Sequence, residues 1–446
     1  MNFRLKTLSR LHPIEVMLLA SKFSLLGFVF AVLLSVAGIS AQQLTPHPIQ
    51  LANGKSLVLN LPPNFTINVA AQGLKRVRFM AISPDNRIFV TDMHDLGDNS
   101  LGKVYILEGW DAKTGTFAKI TTYLDHLRNP NNLAFYTEPA QGGKPGQSWI
   151  YVPLTDRLLR YKYNAGDNAP SSPPEVLAHY PDYGLNYKYG GWHLTRTVVL
   201  ANLHGKTRLL VTVGSSCDAC QEKEPVRATL TAMDPDGKNP EILAAGLRNA
   251  VGMEFVPAID NGGLFATNMG SDHLGTHAPE DTFFELDSNG HPIPAGSNYG
   301  WPTCFFENGK PNADRFISDP KPADHIFPSP PAGPPPVQFD CVKIPAVYTT
   351  FAAHSSPLGL HYFDSLNPAL SGSFLVALHG ASHPAIGTGY RVVRFDAKTR
   401  KHQDFITGFL VNGSVKGRPC GILQIAPDSF LLTDDLDGVI YYIHSK

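Results

Sequence analysis

The chain has 446 residues, 43% of them hydrophobic and 17% charged, with a formal net charge of −1. That length and apolar content supply the core of one large or two ordinary domains. The even charge balance argues against nucleic acid or an acidic membrane surface as a partner and favours a small molecule or a carbohydrate.

Residues 1–42 form a separate segment. Arg4, Lys6, Arg10 and Lys22 precede an uncharged apolar run from Phe23 to Ile39, with small residues at Gly38, Ser40 and Ala41 before Gln42. This reads as an export signal, or as an uncleaved membrane anchor, since the run is near the lower limit for spanning a bilayer. Either reading puts the rest of the chain outside the cytoplasm, periplasmic or secreted. Residues 43–63, rich in Pro, Gln and Asn, are expected to be a linker.

Beyond the linker the 39 glycines and 37 prolines punctuate short apolar runs, as expected for many short strands. Phe65 to Ala70 alternates like a strand, and from there a pattern recurs: an apolar run ending in a turn, a second strand, and a third with aromatic and charged residues. The second strands include Arg87–Val90, Trp149–Val152, Leu209–Val213, Leu264–Thr267, Phe374–Ala377 and Ser429–Leu432. Six copies at intervals of roughly 50 to 65 residues predict an all-β fold, a six-bladed β-propeller of four-stranded antiparallel blades over residues 64–446. Pairing of the early strand near Phe65 with the last blade closes the ring and removes its exposed edges. Residues 289–347, with the run from Pro328 to Pro336, break the spacing and are expected to form a long loop over one face.

Five cysteines follow the first segment. In an oxidising compartment Cys304 with Cys341 is expected to bridge the proline-rich insertion, and Cys217 with Cys220 to form a tight local bridge, leaving Cys420 over. A zinc site is the alternative, but one Cys-x-x-Cys supplies too few of the four ligands zinc needs.

In a propeller the loops at the ends of the inner strands converge on a central channel. That geometry selects His193, Arg248, Asn268, His354, His379 and Arg418 as residues facing a shared pocket. The motifs around them are Gly191-Trp-His-Leu-Thr-Arg196, Gly214-Ser-Ser-Cys-Asp-Ala-Cys220, Gly246-Leu-Arg-Asn249, Asn298-Tyr-Gly-Trp-Pro302, Ala353-His-Ser-Ser-Pro-Leu-Gly359 and Gly417-Arg-Pro419. Together they resemble the glucose/sorbosone dehydrogenase family, most closely its sorbosone and pyranose dehydrogenase branch, from about Phe65 to Ile443.

The resemblance implies an exported enzyme that oxidises a sugar or polyol by hydride transfer to pyrroloquinoline quinone (PQQ), with Ca2+, and passes electrons to a cytochrome or quinone. It implies that His193 takes the substrate's hydroxyl proton, a task that suits a group titrating near neutrality. Arg248, Asn249 and Arg418 match cofactor-side positions, and a guanidinium fork suits the carboxylates of PQQ. His354 and His379 fall in the same pocket. The loop Asn268-Met-Gly-Ser-Asp272 resembles the calcium segment, with Gly270, Ser271 and Asp272 as oxygen ligands. Two positions depart from the pattern of the soluble glucose dehydrogenases: His379 stands where a lysine is expected, and Cys420 where a second arginine is. A non-catalytic sugar-binding propeller and a metal-dependent lactonase are the alternatives, because fold alone does not decide function.

Overall fold

A computed structural model describes residues 43–182, 192–259, 262–288, 290–314 and 340–446. The expected export segment and the run from Pro328 to Pro336 lie outside the described residues.

The chain from Leu44 onward folds as six four-stranded antiparallel blades. Blade 1 runs through Val77–Ile82, Ile88–Asp92, Gly102–Asp111 and Thr116–Leu127, and blade 2 through Ala134–Thr137, Ser148–Pro153, Arg157–Tyr163 and Glu175–His179. Blade 3 comprises Arg196–Leu203, Lys206–Val213, Thr229–Met233 and Glu241–Ala245, and blade 4 Met253–Val256, Gly263–Asn268, Asp281–Ser288 and Thr349–Phe351. Blade 5 is Pro357–Phe363, Ser373–Leu378, Arg391–Asp396 and His402–Ile406. Blade 6 takes Pro419–Ala426, Ser429–Asp434 and Val439–Ser445 from the end of the chain, and its fourth strand is Phe65–Ala71, paired antiparallel to Val439–Ser445. This is the expected closure, and it leaves no blade with a missing outer strand.

The burial of the strands explains why the second strands read as continuous apolar runs. Every residue of Ser373–Leu378 is buried, because neighbouring blades cover both faces of the sheet. Aromatic rings fill the wedges between blades. Phe265 and Phe283 of blade 4 meet Phe374 of blade 5 at 4.9 and 5.2 Å between centroids, and Phe89 of blade 1 meets Phe135 of blade 2 at 5.1 Å.

Each inner strand lies beside the inner strands of the two neighbouring blades, so the six form a closed ring. Threonine hydroxyls bind across the seams. Thr433 donates to the carbonyl of Arg78 at 2.6 Å, Thr91 to that of Asn131 at 2.6 Å, Thr197 to that of Val251 at 2.6 Å, and Thr267 to that of Leu358 at 3.1 Å. Glycine makes this approach possible. A Cβ on Gly252 would stand 1.8 Å from the Leu358 carbonyl oxygen, and one on Gly421 2.4 Å from that of Arg78.

Two expectations need correction. Residues 43–63 are not a linker, because Thr45–Gln50 and Ser56–Leu61 pair as a hairpin. Its alternating Leu57, Leu59 and Leu61 are buried against Phe363, Phe405 and Phe409, a period-two signal that the surrounding Pro and Asn obscure. The insertion, in turn, lies inside blade 4, before its outer strand, and is partly regular. Ser297–Asn298 adds a parallel fifth strand to blade 3, and Cys304–Glu307 pairs with Lys310–Ala313. The disulfides are those expected, Cys217–Cys220 and Cys304–Cys341, and Cys420 is free and buried.

The seam bonds carry a testable consequence. Thr433 also accepts from the Gly421 amide at 2.7 Å, so Thr433→Val keeps the shape and leaves two buried backbone groups unpaired. Equilibrium denaturant unfolding should show a loss of about 1–3 kcal/mol, whereas an unchanged midpoint would mean that the hydroxyl is dispensable to the ring.

Candidate functional site

Strands alternate in direction, so the loop entering an inner strand and the loop leaving the second strand of the same blade lie at the same end. All ten residues expected at the site occur in such loops or directly beside them, and the structure gathers them into two groups on that face.

The larger group spans blades 3 to 5. His193 enters blade 3 with φ of 47°, a left-handed conformation uncommon for a residue with a side chain. Its ring packs edge-on against Trp192. Nδ1 lies 2.9 Å from the Ser215 hydroxyl oxygen and 3.1 Å from the Ser215 carbonyl oxygen. That hydroxyl already donates to the carbonyl of Cys217 at 2.6 Å, so it accepts from the imidazole. Both partners therefore require a proton on Nδ1, which leaves Nε2 as the basic nitrogen, with no partner among the described residues. Burial, followed by the nearby charge of Arg248, pushes the His193 pKa well below its usual 6.5. The close fit depends on Gly214, where a Cβ would stand 2.5 Å from that of His193 and 2.8 Å from Oδ1 of Asn249.

Arg248 enters blade 4 with its side chain only 4% exposed. Nε donates to the carbonyl of Asp218 at 2.9 Å and Nη2 to its carboxylate at 2.7 Å, while Nη1 has no partner among the described residues. The adjacent Asn249 amide donates to Oδ1 of Asn268 at 3.0 Å, and its side chain reaches the Met269 sulfur. Beside it, the loop after Asn268 is held from both sides. The Gly270 amide donates to buried Asp281 at 2.8 Å and the Asp272 amide to Asp218 at 2.7 Å.

The carbonyls of Gly270 and Ser271 accept no hydrogen bond from the described residues. They are free oxygen donors of the kind a hard cation takes. The Asp272 carboxylate lies 3.7 Å from Arg248 and 3.2 Å from Nδ1 of His354, whose Nε2 donates to the carbonyl of Gly275. Asp281 also accepts from the Ser356 amide at 2.7 Å, tying this loop to the one that carries His354. Burial raises the Asp281 pKa to about 7.

The second group lies at blades 5, 6 and 1. His379 is buried, with Nε2 donating to Asp435 at 2.8 Å and Nδ1 accepting from Arg418 at 3.3 Å. Arg418 spends its remaining Nη hydrogens on the carbonyls of Gly380 and Ala381 and on the Tyr390 hydroxyl. Both ring nitrogens of His379 and most of the Arg418 fork are thus engaged within the protein. Fully buried Asp435 also pairs with Arg78 at 2.7 Å and Arg76 at 3.4 Å. Burial alone would raise its pKa, but His379 and the two arginines hold it below the usual carboxylate range. Cys420 points into an apolar cluster with Val251 and Leu358, and burial pushes its thiol up to about 12.

Sequence reasoning passed over Ser215, Asp218, His273, Asp281, Arg78 and Asp435. The first two sit inside the motif Gly214-Ser-Ser-Cys-Asp-Ala-Cys220, where the cysteines drew attention away from them. One group of side chains among the described residues could gather around a metal, Cys217, Cys220 and Glu222, but its two cysteines are bonded to each other.

Several solved proteins share this fold. A Trichoderma reesei carbohydrate-active enzyme of family AA12 superposes with a TM-score of 0.64 at 18% identity, over 91% of this chain and 99% of that one, and it is also known as a calcium structure. The PQQ domain of a pyranose dehydrogenase from Coprinopsis cinerea, in holo form, gives 0.63 at 17% identity, over 89% and 98%. In sequence, an uncharacterized protein of Borreliella burgdorferi is 29% identical over 247 residues, 53% of this chain, and the chain spans 57% of that protein's length. The sequence pattern of the TrAA12-like family matches residues 59–408. The chain belongs to the TrAA12-like family.

Proposed function

We propose that this chain is a PQQ-dependent sugar oxidoreductase. The observation that carries the reading is His193, whose Nδ1 is committed to Ser215 and whose Nε2 is left basic beside an anchored arginine. The Coprinopsis cinerea neighbour, described as a holo PQQ domain, and the family match support the choice of cofactor. An aldose, sorbosone or a related pyranose or polyol is the substrate class. Export to the periplasm or beyond, with residues 1–42 as a cleaved signal or a membrane tether and electrons leaving to a cytochrome or quinone, completes the reading.

The residues present fit the cofactor. PQQ is an anionic quinone, and the free Nη1 of Arg248 offers a donor already fixed in direction by Asp218. Asn249 stands next to it. The unpaired carbonyls of Gly270 and Ser271, with Asp272, would hold calcium, and His354 steadies Asp272. Bound there, the quinone supplies the two-electron acceptor that no side chain provides. His379 and Arg418, engaged with Asp435 and the Gly380–Ala381 backbone, shape the neighbouring wall and are assigned no cofactor contact.

The protein's own contribution is position and a base. As a sugar hydroxyl becomes a carbonyl, carbon loses a hydride and oxygen loses a proton. Nε2 of His193 accepts that proton, and the depressed pKa keeps the ring neutral and ready at neutral pH. Ser215 fixes the tautomer throughout.

Two experiments test this. Folded apoprotein titrated with PQQ and calcium chloride should bind the quinone with a Kd below about a millimolar and then reduce a dye with some members of a sugar panel. Absence of quinone binding would sink the reading. In the second, His193→Gln should retain quinone binding and lose turnover by roughly 10²–10⁴-fold, and full turnover would remove the base. The sign of the pH dependence is set as well. With its folded pKa below 6.5, His193 favours the fold least once the unfolded chain is protonated. Stability is therefore full above about 6.5 and falls as pH drops toward the folded pKa, and His193→Gln should flatten that acid-side decline in unfolding curves.

A further inference from the structure

We infer that Asp218 is the positioning residue of this site, and that the ring closed by Cys217–Cys220 is what fixes it. The inference rests on the reading of the site given above and extends it to a residue that touches neither substrate nor cofactor.

Asp218 lies at the apex of the four-residue ring Cys217-Asp218-Ala219-Cys220, in the loop leaving the second strand of blade 3. Its Oδ1 accepts from Nη2 of Arg248 and from the amide of Asp272, both at 2.7 Å. Oδ2 accepts from Nδ1 of His273 at 3.1 Å. Its carbonyl accepts from Nε of Arg248 and from the Trp301 indole, both at 2.9 Å. One residue therefore collects the arginine entering blade 4, the loop with the free carbonyls of Gly270 and Ser271, and the insertion.

The ring is held in turn. Cys217 accepts from Ser215, the residue that sets the tautomer of His193, and Ser216 binds Glu222 through both its amide and its hydroxyl. Trp301 shares a buried apolar cluster with both cysteines. The His193 arm and the Arg248 arm of the site therefore start from the two ends of one short rigid segment.

The size of the ring shows that its role is local. Loop-closure entropy grows with the number of residues enclosed. A bridge between cysteines three positions apart constrains the unfolded chain little, whereas Cys304–Cys341, 37 apart, constrains it far more. The small ring instead fixes one carboxylate, and a carboxylate that orients ligand-bearing groups governs affinity without touching the ligand.

The test compares folded apoprotein of the wild type with Asp218→Asn, Cys217→Ser/Cys220→Ser and Thr433→Val, the last a destabilised control remote from the loop. Calcium chloride is titrated by calorimetry and PQQ by absorbance. Both affinities should fall by about 10–100-fold in Asp218→Asn and in the double cysteine variant, and hold in Thr433→Val.

Wild-type affinities in Asp218→Asn overturn the inference, as does an equal loss in Thr433→Val. If the wild type binds neither calcium nor PQQ, the cofactor reading fails separately, and Asp218 is judged by fluorescence. Of the four tryptophans, Trp192 and Trp301 stand against Arg248 and Asp218. In a Trp110→Phe/Trp149→Phe background, Asp218→Asn should shift indole emission to the red and raise acrylamide quenching. An unchanged spectrum overturns the inference.

Discussion

The fold depends on how closely the backbones of the six inner strands approach one another. Threonine hydroxyls donate to carbonyls across four of the seams, and glycine at 252, 359 and 421 removes the Cβ that would block the approach. Each blade is a small sheet that cannot cover both of its own faces, so its stability comes from the neighbour. The ring turns six such sheets into one core, and the strand from Phe65 to Ala71 locks it by giving the last blade its fourth member.

That constraint produces the site. A rigid ring of strands ends in short loops on one face, and loops on a rigid scaffold can hold unfavourable conformations that a freer chain would relax. His193, His354 and Ser356 all have positive φ there. The surrounding hydrogen bonds keep them in place, and the same bonds decide which side-chain atoms are left free for chemistry.

Charge divides the face into two halves of different character. Around blades 3 and 4, Asp218 and Asp281 accept from several donors and hold Arg248 and the Gly270–Asp272 loop, which keep unused acceptors and one guanidinium nitrogen without a partner among the described residues. Around blades 5, 6 and 1, Asp435 is saturated by Arg76, Arg78 and His379, and Arg418 is turned onto backbone carbonyls. The first half keeps capacity for a ligand, and the second has used most of its own. His273 extends the first network outward: its bonds to Asp218 and Asp314 raise its pKa to about 9, so at neutral pH it is a cation joining the site to Asp314.

What the sequence by itself determined is local and periodic. The blade count, the closing strand and the placement of His193, Arg248 and His354 on one face follow from strand periods and from where the turns fall; both disulfides follow from the placement of the cysteines, and Asn249, Gly270, Ser271 and Asp272 entered through the family resemblance of their motifs. The hairpin at residues 45–61 was equally legible in Leu57, Leu59 and Leu61, but the prolines around it suggested a linker. The tertiary structure alone decided which polar atoms are spent. Whether His379 or Arg418 faces a ligand depends on Asp435 and Tyr390, and whether Arg248 is aimed depends on a carboxylate 30 residues away. The bond between Arg78 and Asp435 spans 357 residues. No sequence period encodes such pairings, because they arise from loops that meet only after the ring has closed.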